Sequence, residues 1–295
     1  MLKTKAFGID HPLIAVENMA LVRSRFTSIG FNMTPVGKHP WGTSTSLAIF
    51  NDCLLEIMSM YDDTLIDVKP AGNFRFGRHV YRHLSEREGI SLTALHSTDS
   101  VQDAHTAQTA GWNFSGHLEF GRDVVLPDGN FDRTKTTLAL LPDTIFPRLS
   151  FFLCQQHRRD LVEVPEWMNH RNSAYGINGI TIKASSSNQE ALQVHLEAVF
   201  GQGSLTSHGY TIQTPNGYIK VLRDSEISNI VGVLPQTVMD DSQPSIVAME
   251  FLVKDIRLAA RIVEASGLSY RPTQSGLLLD DASLLGNTLI QFLQK

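Results

Sequence analysis

Apolar positions along the chain follow two alternating periods. GIDHPLIAV, from Gly8 to Val16, ends in the unbroken apolar run Leu13 to Val16, which predicts a buried strand. The next stretch, ENMALVRSRFTSIGF, sets Met19, Leu21, Val22, Phe26 and Ile29 at helical spacing and puts Gly30 where a helix should stop. FNMTPVG, STSLAIFN and CLLEIMSM then read as three short strands. The order is strand, helix, strand, strand, strand.

That order recurs. GINGITIKA (176–184) matches GIDHPLIAV in hydrophobic character and leads into a helix, NQEALQVHLEAVFG, then GYTIQTPN and GYIKVLRD. A copy at the end runs SIVAMEFLVKD, a helix through IRLAARIVEASG, GLLLDD and NTLIQFLQK. A looser copy lies between: ISLTALHST, a helix at VQDAHTAQTAGW, LEFGRDVVL, TKTTLALL and RLSFFLCQQH, with a loop inserted around PDGNFDRTK. The expected fold class is therefore α+β, with four βαβββ modules paired into two domains, 1–168 and 169–295. The seam falls in PEWMNHRNSAYG, and 295 residues suit two cores. Paired modules bury each other's open face and leave a curved sheet with a cleft on its concave side.

Composition narrows the class. At 42% hydrophobic and 19% charged the chain is an ordinary globular one, and its net charge of -5 argues against nucleic acid as a partner. No apolar run approaches the roughly 20 residues needed to span a bilayer. MLKTKAFGID has lysines with no apolar h-region behind them, so no secretion signal is expected. Cys53 and Cys154 sit in apolar stretches without metal-binding spacing and read as free thiols of a reducing compartment, the cytoplasm. Neither a Gly-rich phosphate loop nor a GxSxG elbow is present.

Two polar residues interrupt apolar strands. His11 opens GIDHPLIAV, and Glu56 stands between Leu54, Leu55, Ile57 and Met58, where an unpaired carboxylate is expensive to bury. GIDHPLIAV with its helix and Gly30–Phe31, then HPWGTS and CLLEIM, resembles the glyoxalase-like members of the vicinal oxygen chelate (VOC) superfamily, which spans glyoxalases, bleomycin-resistance proteins and extradiol dioxygenases. The resemblance is strongest over residues 7–60 and continues more weakly through FFLCQQH and PEWMNH. It implies a cup between two modules, with a divalent metal held by residues of first and last strands.

His11 and Glu56 then supply a nitrogen and an oxygen to one metal. Aligning CLLE with CQQH adds His157 as the third ligand. Gln156 is the reserve, because a slip of one residue exchanges the faces of a strand. Leu92 aligns with His11, so the second module lacks a ligand there, and His96 is expected at the cup rim. His39 and Trp41, in HPWGTS, are expected to contact substrate. Asn73–Gly89 reads as an amphipathic connector or a surface for an anionic substrate, and Trp167 as a lid or part of the linker. In the second half Gly179, Lys220, Ala248 and Gln291 take the corresponding positions, a set unsuited to a metal. That half is expected to cover, shape or dimerise, a homodimer being one such arrangement.

By resemblance the chain is a metal-dependent enzyme for a small oxygen-bearing organic molecule. A zinc, nickel, manganese or iron ion would act as Lewis acid on neighbouring oxygens, with Glu56 as catalytic base. Isomerase, lyase and dioxygenase chemistries all occur on such a frame. The alternative is a small-molecule binding or drug-sequestering protein without catalysis. Neither reading calls for a membrane or a nucleic acid. Four modules in one chain are similar to the extradiol dioxygenases, whose metal lies in the second pair; here that pair lacks ligands.

Overall fold

A computed structural model of the chain describes residues 6–273 and 275–295. The lysine-bearing Met1–Lys5, part of the stretch read against a secretion signal, lie outside the described residues. No described helix is long and apolar enough to cross a membrane.

Each half is built on one eight-stranded sheet made of two modules. The first module is β1 (Ile9–Ala15), α1 (Met19–Ser28), β2 (Gly37–Lys38), β3 (Thr43–Ile49) and β4 (Leu54–Met60). A helix, α2 (Phe76–Glu86), leads to the second: β5 (Gly89–His96), α3 (Ser100–Thr109), β6 (Gly116–Phe120), a small hairpin of β7 (Asp123–Val125) and β8 (Phe131–Arg133), then β9 (Thr136–Leu141) and β10 (Phe151–Gln156). The sheet order is β2-β3-β4-β1-β5-β10-β9-β6. β1 and β5 pair antiparallel at the centre, and each has the last strand of its own module beside it in parallel.

The second half repeats this plan as β11 (Ala174–Ala184), α4 (Gln189–Phe200), β12 (Ser204–Thr206), β13 (Gly209–Thr214), β14 (Gly217–Arg223), α5 (Asp224–Ile230), α6 (Gln236–Met239), β15 (Ser245–Val253), α7 (Ile256–Ser266), β16 (Tyr270–Thr273), β17 (Gly276–Leu279) and β18 (Leu289–Leu293). The chain is thus α+β with four βαβββ modules in two halves.

Two local readings shift, and the connectors gain helices. FNMTPVG yields only a bridge at Met33 and the short β2, since Pro35 has no N–H to give a ladder. LEFGRDVVL is cut at Gly121, and its far part folds with FDR into the β7–β8 hairpin where a loop was expected. Asn73–Gly89 and the connector after β14 contain helices. α2 turns Phe76 and Val80 onto the apolar concave face with Leu13, Met58 and Leu92, and α5 with α6 does the same in the second half through Ile227 and Val238.

A second apolar layer joins the halves. Phe31 packs against Phe251 (ring centroids 5.0 Å apart) and Phe292 (5.7 Å), and α1 touches α7. Gly30 ends α1 with φ +96, and a β-carbon there would meet the backbone of Asn172 at 2.8 Å. Asn172, in the connector between the sheets, donates from Nδ2 to the carbonyl of Ile29 and fastens that connector to the helix end.

Candidate functional site

The site begins with an irregularity in β1. Against β5, Ile9 pairs with Leu95 and His11 with Ala94, so Asp10 is the extra residue of a bulge. Neighbours on a regular strand point to opposite faces; the bulge brings these two side chains together. His11 Nδ1 lies 2.6 Å from Asp10 Oδ1, and His11 Nε2 lies 3.3 Å from Glu56 Oε2. Glu56 reaches the same space from β4, where it pairs with Leu13, two residues past His11 in β1, and also accepts from Thr45 Oγ1 at 2.5 Å.

All three ionisable groups are buried. Burial works against the charge on His11, but the hydrogen bonds to Asp10 and Glu56 outweigh it and raise its pKa to about 9. Burial also opposes charge on Glu56, and the contact with His11 instead lowers it to about 2. Asp10 is wholly enclosed; despite that, His96 and His11 hold its carboxyl well below the usual range. Its Oδ2 lies 2.8 Å from His96 Nδ1 and 2.7 Å from Arg159 Nη2, and Arg159 continues to Glu163. The chain of contacts therefore runs Glu163, Arg159, Asp10, His11, Glu56, Thr45. Asn216 of the second half pins the bulge from outside: its Oδ1 accepts from the Ile9 amide at 2.8 Å and its Nδ2 donates to the Ile9 carbonyl at 2.7 Å.

His11 and Glu56 face a small cavity of about 40 Å³, room for a water or two. Four aromatic side chains, Trp41, Phe76, Phe120 and Phe152, stand in its walls beside Leu47, Leu54, Met58 and Leu138. His39 stacks on Trp41 with centroids 4.8 Å apart, and burial, helped by the charge of Arg122, lowers its pKa to about 3, so it is neutral. Two donors in this wall find no partner among the described residues. The indole Nε1 of Trp41 has none, and no partner for the Arg122 guanidinium is found among the described residues. His39 and Phe120 also border an open vestibule of about 660 Å³ whose rim carries Lys38, Lys69 and Lys135.

The structure brings His11, Glu56, His39, Trp41 and Gln156 to one cavity. It does not bring His157. In β10, Phe152, Cys154 and Gln156 point into the cup, so the next residue points away. His157 follows the strand's end, is exposed, and lies 2.8 Å from the Thr137 hydroxyl. His96 is not at the rim either; it is buried beside Asp10. Trp167 packs on Leu47, Leu54 and Val162 at the cup's edge. In the second half, Lys220 lies 3.0 Å from Glu250, which also accepts from Asn178 and Tyr218. Gly179 lies under the Tyr218 ring, where a β-carbon would come within 2.7 Å.

Sequence reasoning missed Asp10, Arg159, Arg122 and Asn216. Asp10 stood next to His11 in the chain, but strand alternation sends neighbours apart and only the bulge overrides it. Nothing local marks the other three, which arrive from distant segments.

Among the described residues no group of three His, Cys, Asp or Glu is clustered closely enough to hold a metal ion. By donor type, an imidazole nitrogen, a carboxylate oxygen and an amide oxygen suit a divalent ion, although Gln156 Oε1 already accepts from Thr136 Oγ1 at 2.7 Å. His11 and Glu56 offer a converging nitrogen and oxygen, and Gln156 lines the same cavity. Asp10 grips the other ring nitrogen, as outer carboxylates do for metal-bound imidazoles.

Comparison with known proteins gives a consistent picture. The family model described as Glyoxalase-like domain matches residues 9–200, more than half of the chain. No curated protein sequence matches. Among solved structures, a hypothetical protein from Staphylococcus aureus is similar over 98% of this chain and 99% of its own, at 12% identity and a TM-score of 0.67. A variant of 4-hydroxymandelate synthase from Streptomyces coelicolor is similar over 98% and 92%, at 11% identity and a TM-score of 0.61. A fusion of a xylose isomerase-like TIM barrel with 4-hydroxyphenylpyruvate dioxygenase is similar over 99% of this chain and 49% of its own, at 10% identity and a TM-score of 0.53. At such identities these likenesses speak to the fold.

Proposed function

The chain belongs to the Glyoxalase-like domain family, and from that membership we propose that its first half is a metal-assisted enzyme acting on a small organic acid. One observation carries the reading. His11 Nε2 and Glu56 Oε2 stand 3.3 Å apart in a cavity that Arg122 also lines, with no partner for its guanidinium among the described residues.

His11, Glu56 and Gln156 would hold the divalent ion, which when bound stabilises negative charge on neighbouring substrate oxygens as a Lewis acid. Arg122 binds the carboxylate, for which a guanidinium fork is the matching donor. Trp41 Nε1 supplies a further donor to a substrate oxygen. Trp41, Phe76, Phe120 and Phe152 exclude water and strengthen these contacts. Glu56 accepts the proton from the carbon beside the substrate's oxygens, and Thr45 holds its carboxylate in place. Beside an imidazolium Glu56 is a weak base. Its basicity returns when His11 releases the Nε2 proton, as it must to act as a ligand. The cavity holds no more than the reacting end of a substrate, so the remainder occupies the vestibule beyond His39 and Phe120. 4-Hydroxyphenylpyruvate, in the name of one similar structure, is a small aromatic 2-oxo acid, a class that suits aromatic walls facing a cation.

A second reading is a non-catalytic binding protein of the same fold. It is favoured by the tight pairing of His11 with two carboxylates, which needs no ion. The test incubates metal-supplied protein and a Glu56→Gln variant with small 2-oxo and 2-hydroxy acids, following conversion by mass spectrometry and binding by calorimetry. Conversion by the parent alone, with binding kept in the variant, supports the enzyme. Binding without conversion favours the second reading, and no binding of any acid overturns both.

A further inference from the structure

The largest cluster of cationic side chains outside the cup surrounds a cavity of about 560 Å³ between α2, the turn at Pro147–Arg148 and Gln243 of the second half. Arg75, the residue before α2, and Arg78, His79 and Arg82 on one face of the helix line the cavity. With Arg87 and Arg148, five guanidinium groups gather here. Three carboxylates answer them: Asp67 pairs with Arg78, Glu86 with Arg148, and Asp241 with Arg87 and Arg148. Arg75 reaches only the carbonyls of Gly72 and Phe74, and Arg82 has no ion-pair partner among the described residues. In a chain of net charge -5, this leaves a local excess of two positive charges.

A second, independent observation is a buried hydroxyl in the cavity wall. Ser91 lines the cavity at 1% exposure, and its hydroxyl finds no hydrogen-bond partner among the described residues. A buried polar atom without a partner is uncommon, and a bound ligand is one way to satisfy it. His79 is already engaged through Nε2 with the Ser91 carbonyl at 3.0 Å, and Phe74 lies beside its ring as an apolar wall. The volume lies in the range of small-molecule pockets.

We propose that this cavity binds a small organic phosphate monoester, its phosphate held by Arg75, Arg82 and the Ser91 hydroxyl and its organic part lying along Phe74. A monoester carries close to two negative charges at neutral pH, which matches the local excess, and three acceptor oxygens for the guanidinium and hydroxyl donors. A monocarboxylate would leave one charge unanswered.

Calorimetry of the full chain with phenyl phosphate, at fixed ionic strength, tests this. Arg82 is exposed, so Arg82→Gln leaves the fold intact; Ser91→Ala removes the buried hydroxyl. The expected result is one saturable site per chain, weakened at least tenfold by either substitution and unchanged by Arg122→Met in the cup. Absence of saturable binding overturns the proposal, as does binding that survives Arg82→Gln but is lost with Arg122→Met, which would put the anion in the cup. Benzoate binding as tightly as phenyl phosphate would overturn the ligand class.

Discussion

Asp10 and His11 are consecutive residues of one strand, yet their side chains meet at 2.6 Å. The bulge that allows this converts an isolated buried imidazole into a link between two carboxylates, Asp10 behind it and Glu56 in front. A buried charge network of this kind is costly to assemble and more costly to break.

Asp10→Ala strips His11, His96 and Arg159 of their shared partner, and the loss expected for opening a buried pair is ~3–5 kcal/mol. Asp10→Asn keeps the shape and loses less stability, but it lowers divalent-ion affinity about 10–100-fold, as removal of an outer-shell carboxylate does. Thermal unfolding and ion titration of the two variants check both expectations.

Gln156 and His157 separate cleanly. Gln156→Ala weakens ion binding, because Gln156 lines the cavity, whereas His157→Ala leaves it unchanged, because His157 lies exposed on the other face. An equal effect of the two substitutions would contradict the assigned faces of β10.

His39 sets a pH dependence. Its folded-state pKa is about 3 against an ordinary 6.5, so below pH 6.5 the unfolded chain takes up a proton that the folded chain refuses. The stability this contributes is complete above pH 6.5 and is lost as the pH falls toward 3. Denaturant titrations at pH 7, 5.5 and 4 should therefore find the stability difference between the parent and His39→Gln narrowing with acid; a constant difference would refute it.

Phe31 ties the halves together. Phe31→Ala removes a buried ring that meets Phe251 and Phe292 across the boundary, for an expected loss of ~3–5 kcal/mol. Urea unfolding measures it directly.

Much of this arrangement is legible in the chain. Repeated strand–helix patterns give the four modules, since burial on one face leaves a period that survives without any shared letters. His11 and Glu56 stand out because a charged group inside an apolar run demands a partner, and the structure places them side by side. The partners themselves are less legible. Asp10 depends on a bulge, which has no hydrophobic signature. Asn216 reaches Ile9 from 207 positions away, and Arg122 lies in a stretch that reads as one continuous strand. The choice between Gln156 and His157 turned on which face of β10 each takes, and a slip of one residue in register exchanges the faces.

The central claim is that His11 and Glu56 hold a divalent ion in the cup. Equilibrium dialysis against zinc, nickel, manganese and iron, with metal content read by plasma mass spectrometry, addresses it most directly. The account predicts about one ion per chain for the parent and none for the His11→Ala/Glu56→Ala double variant. No ion in the parent, or the same content in both proteins, would contradict it.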